Sequence, residues 1–166
     1  MNESLEFEAF CVRQNPALLR FLTLYCGDVE TARDVTQETL ARVWAHWRTV
    51  QRMDRADLWA KRVAVNLANS QFRHRRVERG RLHVLVEHSP QPGPDLSDQL
   101  RVHQALRTLS PRQRTAILLR FLEDLSVEQT SELMGCSAGT VKKLTARGLV
   151  GLRAVIGTDI EVGTDA

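Results

Sequence analysis

The stretch Ser126-Val-Glu-Gln-Thr-Ser-Glu-Leu-Met-Gly-Cys-Ser-Ala-Gly-Thr-Val-Lys-Lys-Leu-Thr-Ala-Arg-Gly-Leu-Val-Gly-Leu-Arg153 decides how the chain folds. Ser126 followed three residues later by Gln129 has the form of a capping box, the reciprocal side-chain and backbone exchange that starts a helix. Val127, Thr130, Leu133 and Met134 then recur at helical steps and face inward. Gly135-Cys136-Ser137 reads as a turn, because glycine enters the left-handed conformation that lets two helices cross steeply. A last helix runs from about Ala138 to Val155, with Val141, Thr145, Gly148, Leu149 and Leu152 as its packing stripe. Ser137, Ala138, Thr140, Lys142, Lys143, Leu144, Ala146 and Arg147 are left toward solvent or a major groove. Short helix, glycine turn and basic second helix make a helix-turn-helix. Its Lys and Arg can grip phosphates or read guanine edges, and its hydroxyls can do either. An ordinary helical hairpin with a solvated basic face has the same pattern, so the rest of the chain must decide.

Upstream, Ser110-Pro111 opens another helix, serine being a good N-cap and proline a good first helical residue. Ile117, Leu118, Phe121 and Leu122 continue it, and Glu123-Asp124-Leu125 breaks it. Leu100, Val102, Ala105, Leu106 and Leu109 mark the helix before. From His83 to Ser97 the composition changes: three of the five prolines fall here. Proline removes backbone donors and disfavours helix in the residue before it, so the segment reads as a linker.

The N-terminal part reads as helical throughout. Phe7, Phe10, Cys11 and Val12 start an amphipathic segment expected to break near Asn15-Pro16. Leu18, Leu19, Phe21, Leu22 and Leu24 lead to Gly27, which suits a C-cap, and Asp28, which suits the next N-cap. The following helix carries Ala32, Val35, Leu40, Val43, Trp44 and Trp47, with Trp44 expected in the core. Asp34, Gln37 and Glu38 share its polar face. Arg48 to Asp57 reads as a loop or short turn. A helix from about Ala56 to Arg79 has Leu58, Trp59, Val63, Val65, Leu67, Ala68 and Phe72 as its apolar set. Its second half is basic: Arg73-His-Arg-Arg76, with Arg79 and Arg81 beyond. Asn66, Asn69, Ser70 and Gln71 lie beside this charge, a combination suited to a nucleotide backbone or an unstacked base.

Composition narrows the function classes. The chain has 166 residues, 43% hydrophobic and 26% charged, with a net charge of +3. That is enough for a core and excludes a disordered polyelectrolyte. Cys11, Cys26 and Cys136 are far apart and odd in number, which argues against a zinc site or a disulfide framework. The five histidines are scattered, and no Gly-rich phosphate loop is present. No metal, no cofactor and no catalytic constellation is expected, so the chain does not read as an enzyme. The acidic start, Met-Asn-Glu-Ser-Leu-Glu, lacks a signal peptide pattern and no membrane span is read, which places the protein in the cytoplasm. On a DNA-binding chain the Asp34, Gln37, Glu38 face is better explained as a docking surface for a basic protein partner.

Four motifs in order resemble one family. Gly27-Asp-Val-Glu-Thr-Ala-Arg-Asp34-Val-Thr-Gln37-Glu38-Thr-Leu-Ala-Arg-Val-Trp44 resembles regions 2.1–2.2 of bacterial sigma factors. Arg62-Val-Ala-Val-Asn66-Leu-Ala-Asn-Ser-Gln-Phe-Arg73-His-Arg-Arg76 is similar to regions 2.3–2.4. Ala105 to Arg114 with Leu119 to Ser126 is similar to region 4.1. Gly135 to Lys142, ending in Arg147 and Leu152-Arg153, is similar to region 4.2. Order, spacing and short linker resemble the two-domain extracytoplasmic-function group of the sigma-70 family, in particular its actinobacterial SigE-like members. Lys143 stands where Ser is common, and Leu144 where a polar or basic residue is common; both bear on which DNA sequence is read. Thr130-Ser131 replaces the common Ile-Ala and is expected still to pack.

The resemblance implies an all-α fold: two small helical domains joined by a flexible linker, the second containing the helix-turn-helix. It implies residues 1–81 as region 2, 82–97 as linker, 98–156 as region 4 and 157–166 as a tail. Asp34, Gln37, Glu38 and Arg42 would dock on the clamp helices of the polymerase β′ subunit, and the β flap would be a second contact. Asn66, Asn69, Arg73, Arg75 and Arg76 would bind the −10 element, and Ser137, Ala138, Thr140, Lys142, Lys143 and Arg147 the −35 element. Implied partners are core RNA polymerase, promoter DNA and an anti-sigma factor. Two other classes stand beside this one. A stand-alone helix-turn-helix regulator has no need of the Asp34 to Glu38 face. A DNA-modifying enzyme lacks a catalytic constellation here.

Overall fold

The computed structural model describes residues 2–81 and 94–157. Residues 82–93 of the expected linker and 158–166 of the expected tail lie outside the described residues, as does the side chain of Arg76. The chain divides into two compact units, Met1–Glu87 and His88–Ala166. Every regular element among the described residues is helical.

The first unit holds α1 (Glu3–Cys26), α2 (Val29–Ala45), α3 (Trp47–Val50) and α4 (Ala56–Arg81). Helices α1, α2 and α4 each pack on the other two. Phe10, Leu18, Phe21, Leu22 and Tyr25 of α1, Val35 and Val43 of α2, and Ala64, Leu67 and Ala68 of α4 supply the core. Gly27 takes the left-handed conformation (φ 80°) that ends α1, and its N–H bonds to the Thr23 carbonyl. Asp28 caps α2, its carboxylate accepting from the Thr31 N–H at 2.7 Å.

Two expectations are corrected here. Helix α1 does not break at Asn15-Pro16 but runs through Pro16. Pro16 is exposed, and so is Val12, whose carbonyl the ring deprives of a donor, so water can satisfy it. The buried stripe on either side of Pro16 holds the helix together. Trp44 is not core: it is 48% exposed, while Trp47 is buried. Trp44 sits one helical step round from buried Val43 and rests its ring on Phe7, centroids 4.8 Å apart. Trp47 turns inward against Phe10 at 5.3 Å.

The second unit holds α5 (Pro94–Thr108), α6 (Pro111–Ile117), a π-helical turn (Leu118–Leu122), α7 (Val127–Met134) and α8 (Ala138–Ile156). Helix α5 begins inside the segment 82–97 read as linker, because a proline at the first helical position lacks only an N–H that has no partner there. Ser110 with Gln113 and Ser126 with Gln129 form complete capping boxes. Helix α8 packs on α5, α6 and α7. Its approach to α6 is close at Gly148, where an added Cβ would lie 2.7 Å from Ile117 Cγ1. Arg114 is buried and turns its guanidinium onto the C-terminal end of α5. It donates to the Leu106 carbonyl at 2.9 Å and the Leu109 carbonyl at 3.3 Å. A cation at a helix C-terminus is favourable, and these carbonyls have few other donors.

Candidate nucleic-acid and docking interfaces

The second unit presents one basic helix face. Gly135 is left-handed (φ 62°), and the Cys136 N–H bonds back to the Ser131 carbonyl at 3.1 Å, closing the turn. Ser137 caps α8, accepting from the Thr140 N–H at 3.2 Å, with its hydroxyl 2.9 Å from that of Thr140. Ser137 therefore serves the fold as well as any ligand. Val141 and Gly148 are buried, which turns Lys142, Lys143 and Arg147 outward; all three are exposed. Thr140, Lys143 and Arg147 follow at three- and four-residue steps and form one stripe opposite the buried side. Ala138 and Thr140 are half-buried at its N-terminal end. Among the described residues neither Lys143 nor Arg147 is in an ion pair, so both charges are available to a polyanion.

In the first unit, α4 divides the predicted residues between two sides. At about 100° per residue, Asn66, Asn69 and Arg73 share one face, and the backbone position of Arg76 falls on it too. Asn66 and Arg73 are exposed. Asn69 is half-buried, and its Oδ1 accepts from the Tyr25 hydroxyl at 2.7 Å. Arg75 lies nine residues beyond Asn66, half a turn away. Its guanidinium points to α2, donating to Thr31 Oγ1 at 2.8 Å and lying 4.0 Å from Asp28 Oδ2. Arg75 is thus not brought together with the other four. The uniform basic run in the sequence hides this division; the Asp28 cap was legible, but nothing in it announced Arg75 as a partner.

Helix α2 presents a mixed polar face. Asp34, Gln37, Glu38 and Arg42 are all exposed. Arg42 Nε bonds to Glu38 Oε1 at 2.9 Å, four residues apart. Two exposed side chains in such a pair hold each other weakly, so Glu38 can exchange partners at little cost. Trp44 extends this surface with an apolar ring, a feature that its expected burial concealed. Among the described residues no cluster of three His, Cys, Asp or Glu side chains is placed to hold a metal ion. No helix among them is long and apolar enough to cross a membrane.

Comparisons with known proteins give the family of both units. Residues 11–78 match the family model described as sigma-70 region 2, and residues 99–150 match that for sigma-70 region 4. The RNA polymerase sigma-E factor of Streptomyces coelicolor is 34% identical over 158 residues, 92% of this chain and 87% of that protein. The sigma-E factor of Streptomyces avermitilis is 33% identical, over 91% of this chain and 85% of that protein. Among solved structures, the sigma factor RpoE of Bartonella quintana, in complex with the anti-sigma factor NepR, has a TM-score of 0.80 at 27% identity. That match covers 93% of this chain and 99% of RpoE.

Proposed function

Because the chain belongs to the sigma-70 family, as an RNA polymerase sigma factor of the extracytoplasmic-function type that directs transcription initiation, we propose how its exposed faces divide that task. Asp34, Gln37, Glu38 and Arg42 of α2 dock on the β′ clamp helices of core polymerase. Asn66, Asn69, Arg73 and Arg76 of α4 capture the −10 element as single strand. Ser137, Ala138, Thr140, Lys142, Lys143 and Arg147 of α8 read the −35 element as duplex.

The observation that carries this reading is that α2 exposes the docking residues in the same compact unit in which α4 exposes Asn66 and Arg73. A stand-alone regulator gains nothing from the first face. The Tyr25 hydroxyl occupies the carbonyl oxygen of Asn69 and leaves its amide nitrogen to donate to a base edge. Unstacking a base costs a few kcal/mol, which contacts on α4 and polymerase must offset. Lys143 and Arg147 supply phosphate or guanine contacts to the duplex. Neither half need bind DNA tightly alone, because two sites on one polymerase-bound chain act at high effective concentration. Polymerase makes the nucleotide bonds, so this chain contributes recognition and melting and no catalytic residue.

We assign residues 1–81 to docking and −10 capture, 82–97 to the connection, whose end already belongs to α5, 98–156 to −35 reading and 157–166 to a tail. The second polymerase contact is the β flap. The protein works in the cytoplasm, where core polymerase is. An anti-sigma partner is supported by the complex in which the Bartonella quintana relative was solved.

Core polymerase with this protein should initiate from fragments of a genomic library that core alone does not use. The Asp34→Arg, Glu38→Arg double variant should lose core binding while keeping its helical content. Core binding that survives this charge reversal would refute the docking assignment.

A further inference from the structure

We infer that Arg75 is a positioning residue, which ties the promoter-strand helix α4 to the N-terminus of the docking helix α2 and makes no strand contact of its own. This rests on the function proposed above and assigns a task that the basic run Arg73-His-Arg-Arg76 does not suggest.

Three observations carry it. Arg75 projects from the side of α4 opposite Asn66 and Arg73. Its guanidinium meets two acceptors on one turn of α2: Thr31 Oγ1 at 2.8 Å and, more loosely, Asp28 Oδ2 at 4.0 Å. Thr31 is buried, and its N–H is itself held by the other oxygen of Asp28 at 2.7 Å. Asp28 thus caps α2 and faces Arg75 with the same carboxylate. The location argues for specificity. A helix N-terminus repels a cation, so a surplus arginine has no general reason to settle there. Here the carboxylate and the hydroxyl outweigh the dipole, and the planar guanidinium can address both, which a lysine cannot do in the same way.

The docking face begins three residues beyond Thr31, at Asp34. The Arg75 tether therefore lies within one turn of the surface proposed to meet polymerase. At its other end it holds the part of α4 that presents Arg73. Core docking through α2 then fixes the direction in which Asn66 and Arg73 meet the displaced strand.

The test uses holoenzyme assembled from core polymerase and the full chain, and a promoter fragment selected by the wild-type holoenzyme from a randomised DNA pool. Arg75→Ala, Arg75→Lys and Thr31→Val are compared with Arg73→Ala. Thr31→Val keeps the side-chain shape and removes the acceptor. Core affinity should stay at the wild-type value for all the Arg75 and Thr31 variants; a general loss of structure would lower it. Promoter affinity should fall by about fivefold for Arg75→Ala and Thr31→Val, the factor expected for loss of one partly exposed hydrogen bond. The variant carrying both Arg75→Ala and Thr31→Val should be no worse than Arg75→Ala alone, and Arg75→Lys should recover only part of the loss.

The salt dependence of promoter binding separates positioning from direct grip. Removing a group that neutralises a phosphate lowers the log–log slope by about 0.7 to 0.9. Arg73→Ala should show that drop, and Arg75→Ala should keep the wild-type slope. A slope that drops for Arg75→Ala as it does for Arg73→Ala overturns the inference, as does wild-type promoter affinity in Thr31→Val. Should Arg75→Ala fail to fold, Thr31→Val carries the test alone. Failure of the wild-type protein to bind core or select any promoter would instead overturn the proposed function.

Discussion

The hydroxyl of Tyr25 donates to Oδ1 of Asn69 at 2.7 Å, joining a buried side chain of α1 to the candidate DNA face of α4. Tyr25 is fully buried and its ring lies 6.0 Å from that of Phe21, nearly parallel. Tyr25→Phe keeps the ring and deletes the donor. Loss of one part-buried hydrogen bond should cost about 1 kcal/mol. For a unit of this size the melting midpoint should drop by roughly 4–8 °C. Promoter affinity of the holoenzyme should fall as well, because the Asn69 amide is no longer oriented. Scanning calorimetry and promoter binding check both, and an unchanged midpoint would deny the bond its weight.

Gly148 is buried where α8 meets α6. A methyl there would lie 2.7 Å from Ile117 Cγ1, and Ile117 is itself buried. Alanine in place of glycine in a helix gains about 1 kcal/mol by propensity. Overpacking a filled core costs typically ~1–3 kcal/mol, and the rigid neighbour tips the balance toward loss. Gly148→Ala should therefore destabilise the second unit. Combined with Ile117→Ala, it should cost less than the sum of the two single losses. Strict additivity in denaturant unfolding would show that the two sites do not meet.

Thr130 occupies a fully buried position on α7, and its hydroxyl has no hydrogen-bond partner among the described residues. Thr36 and Thr39, also buried, bond instead to carbonyls one turn back. An unsatisfied buried hydroxyl costs on the order of 1 kcal/mol or more. Thr130→Val, nearly the same shape, should raise stability by about 1 kcal/mol with −35 binding unchanged. A lower denaturation midpoint in the variant would mean that the hydroxyl is satisfied after all.

How far the sequence could be read depended on how local each decision was. Asp28, Ser110 and Ser126 cap helices through partners three residues away, and Gly27 and Gly135 turn left-handed on their own account, so helix ends were legible. Pro16 misled because the local rule was overruled by a buried stripe that runs across it. Trp44 and Trp47 lie three residues apart with equal apolarity, and only the packing of α1 decided which was buried. The arginines of α4 are alike in the sequence, yet Arg73 faces out and Arg75 reaches a residue 44 positions upstream. Arg114 is similar: its carbonyl acceptors belong to the preceding helix, and no spacing rule points to them.

Lys143 and Arg147 stand free on the exposed stripe of α8, and their removal should separate grip from reading. A cation that only neutralises a duplex phosphate, once deleted, lowers the salt slope by about 0.9, equally on all sequences. Deleting a cation that reads guanine instead costs about 1–3 kcal/mol at one base position and relaxes the preference there. Lys143→Ala and Arg147→Ala should each do one or the other, measured as holoenzyme affinity for a −35 substitution series at several salt concentrations. If neither variant changed slope or preference, the −35 assignment of this stripe would fail.

His103 of α5 gives the second unit a pH dependence. Its ring nitrogen Nδ1 is buried without a hydrogen-bond partner among the described residues. Burial pushes the imidazole pKa below its ordinary value. The folded state therefore resists protonation, and the unfolded chain binds the proton more readily. Stability rises with pH wherever the unfolded state holds more protons. The contribution of His103 is fully present above the unfolded value of about 6.5 and is lost as pH falls from there through the lower folded value. As pH falls below about 6.5, the melting midpoint of the second unit should decline. His103→Gln should flatten that decline. Equal acid sensitivity in wild type and His103→Gln would place the effect elsewhere.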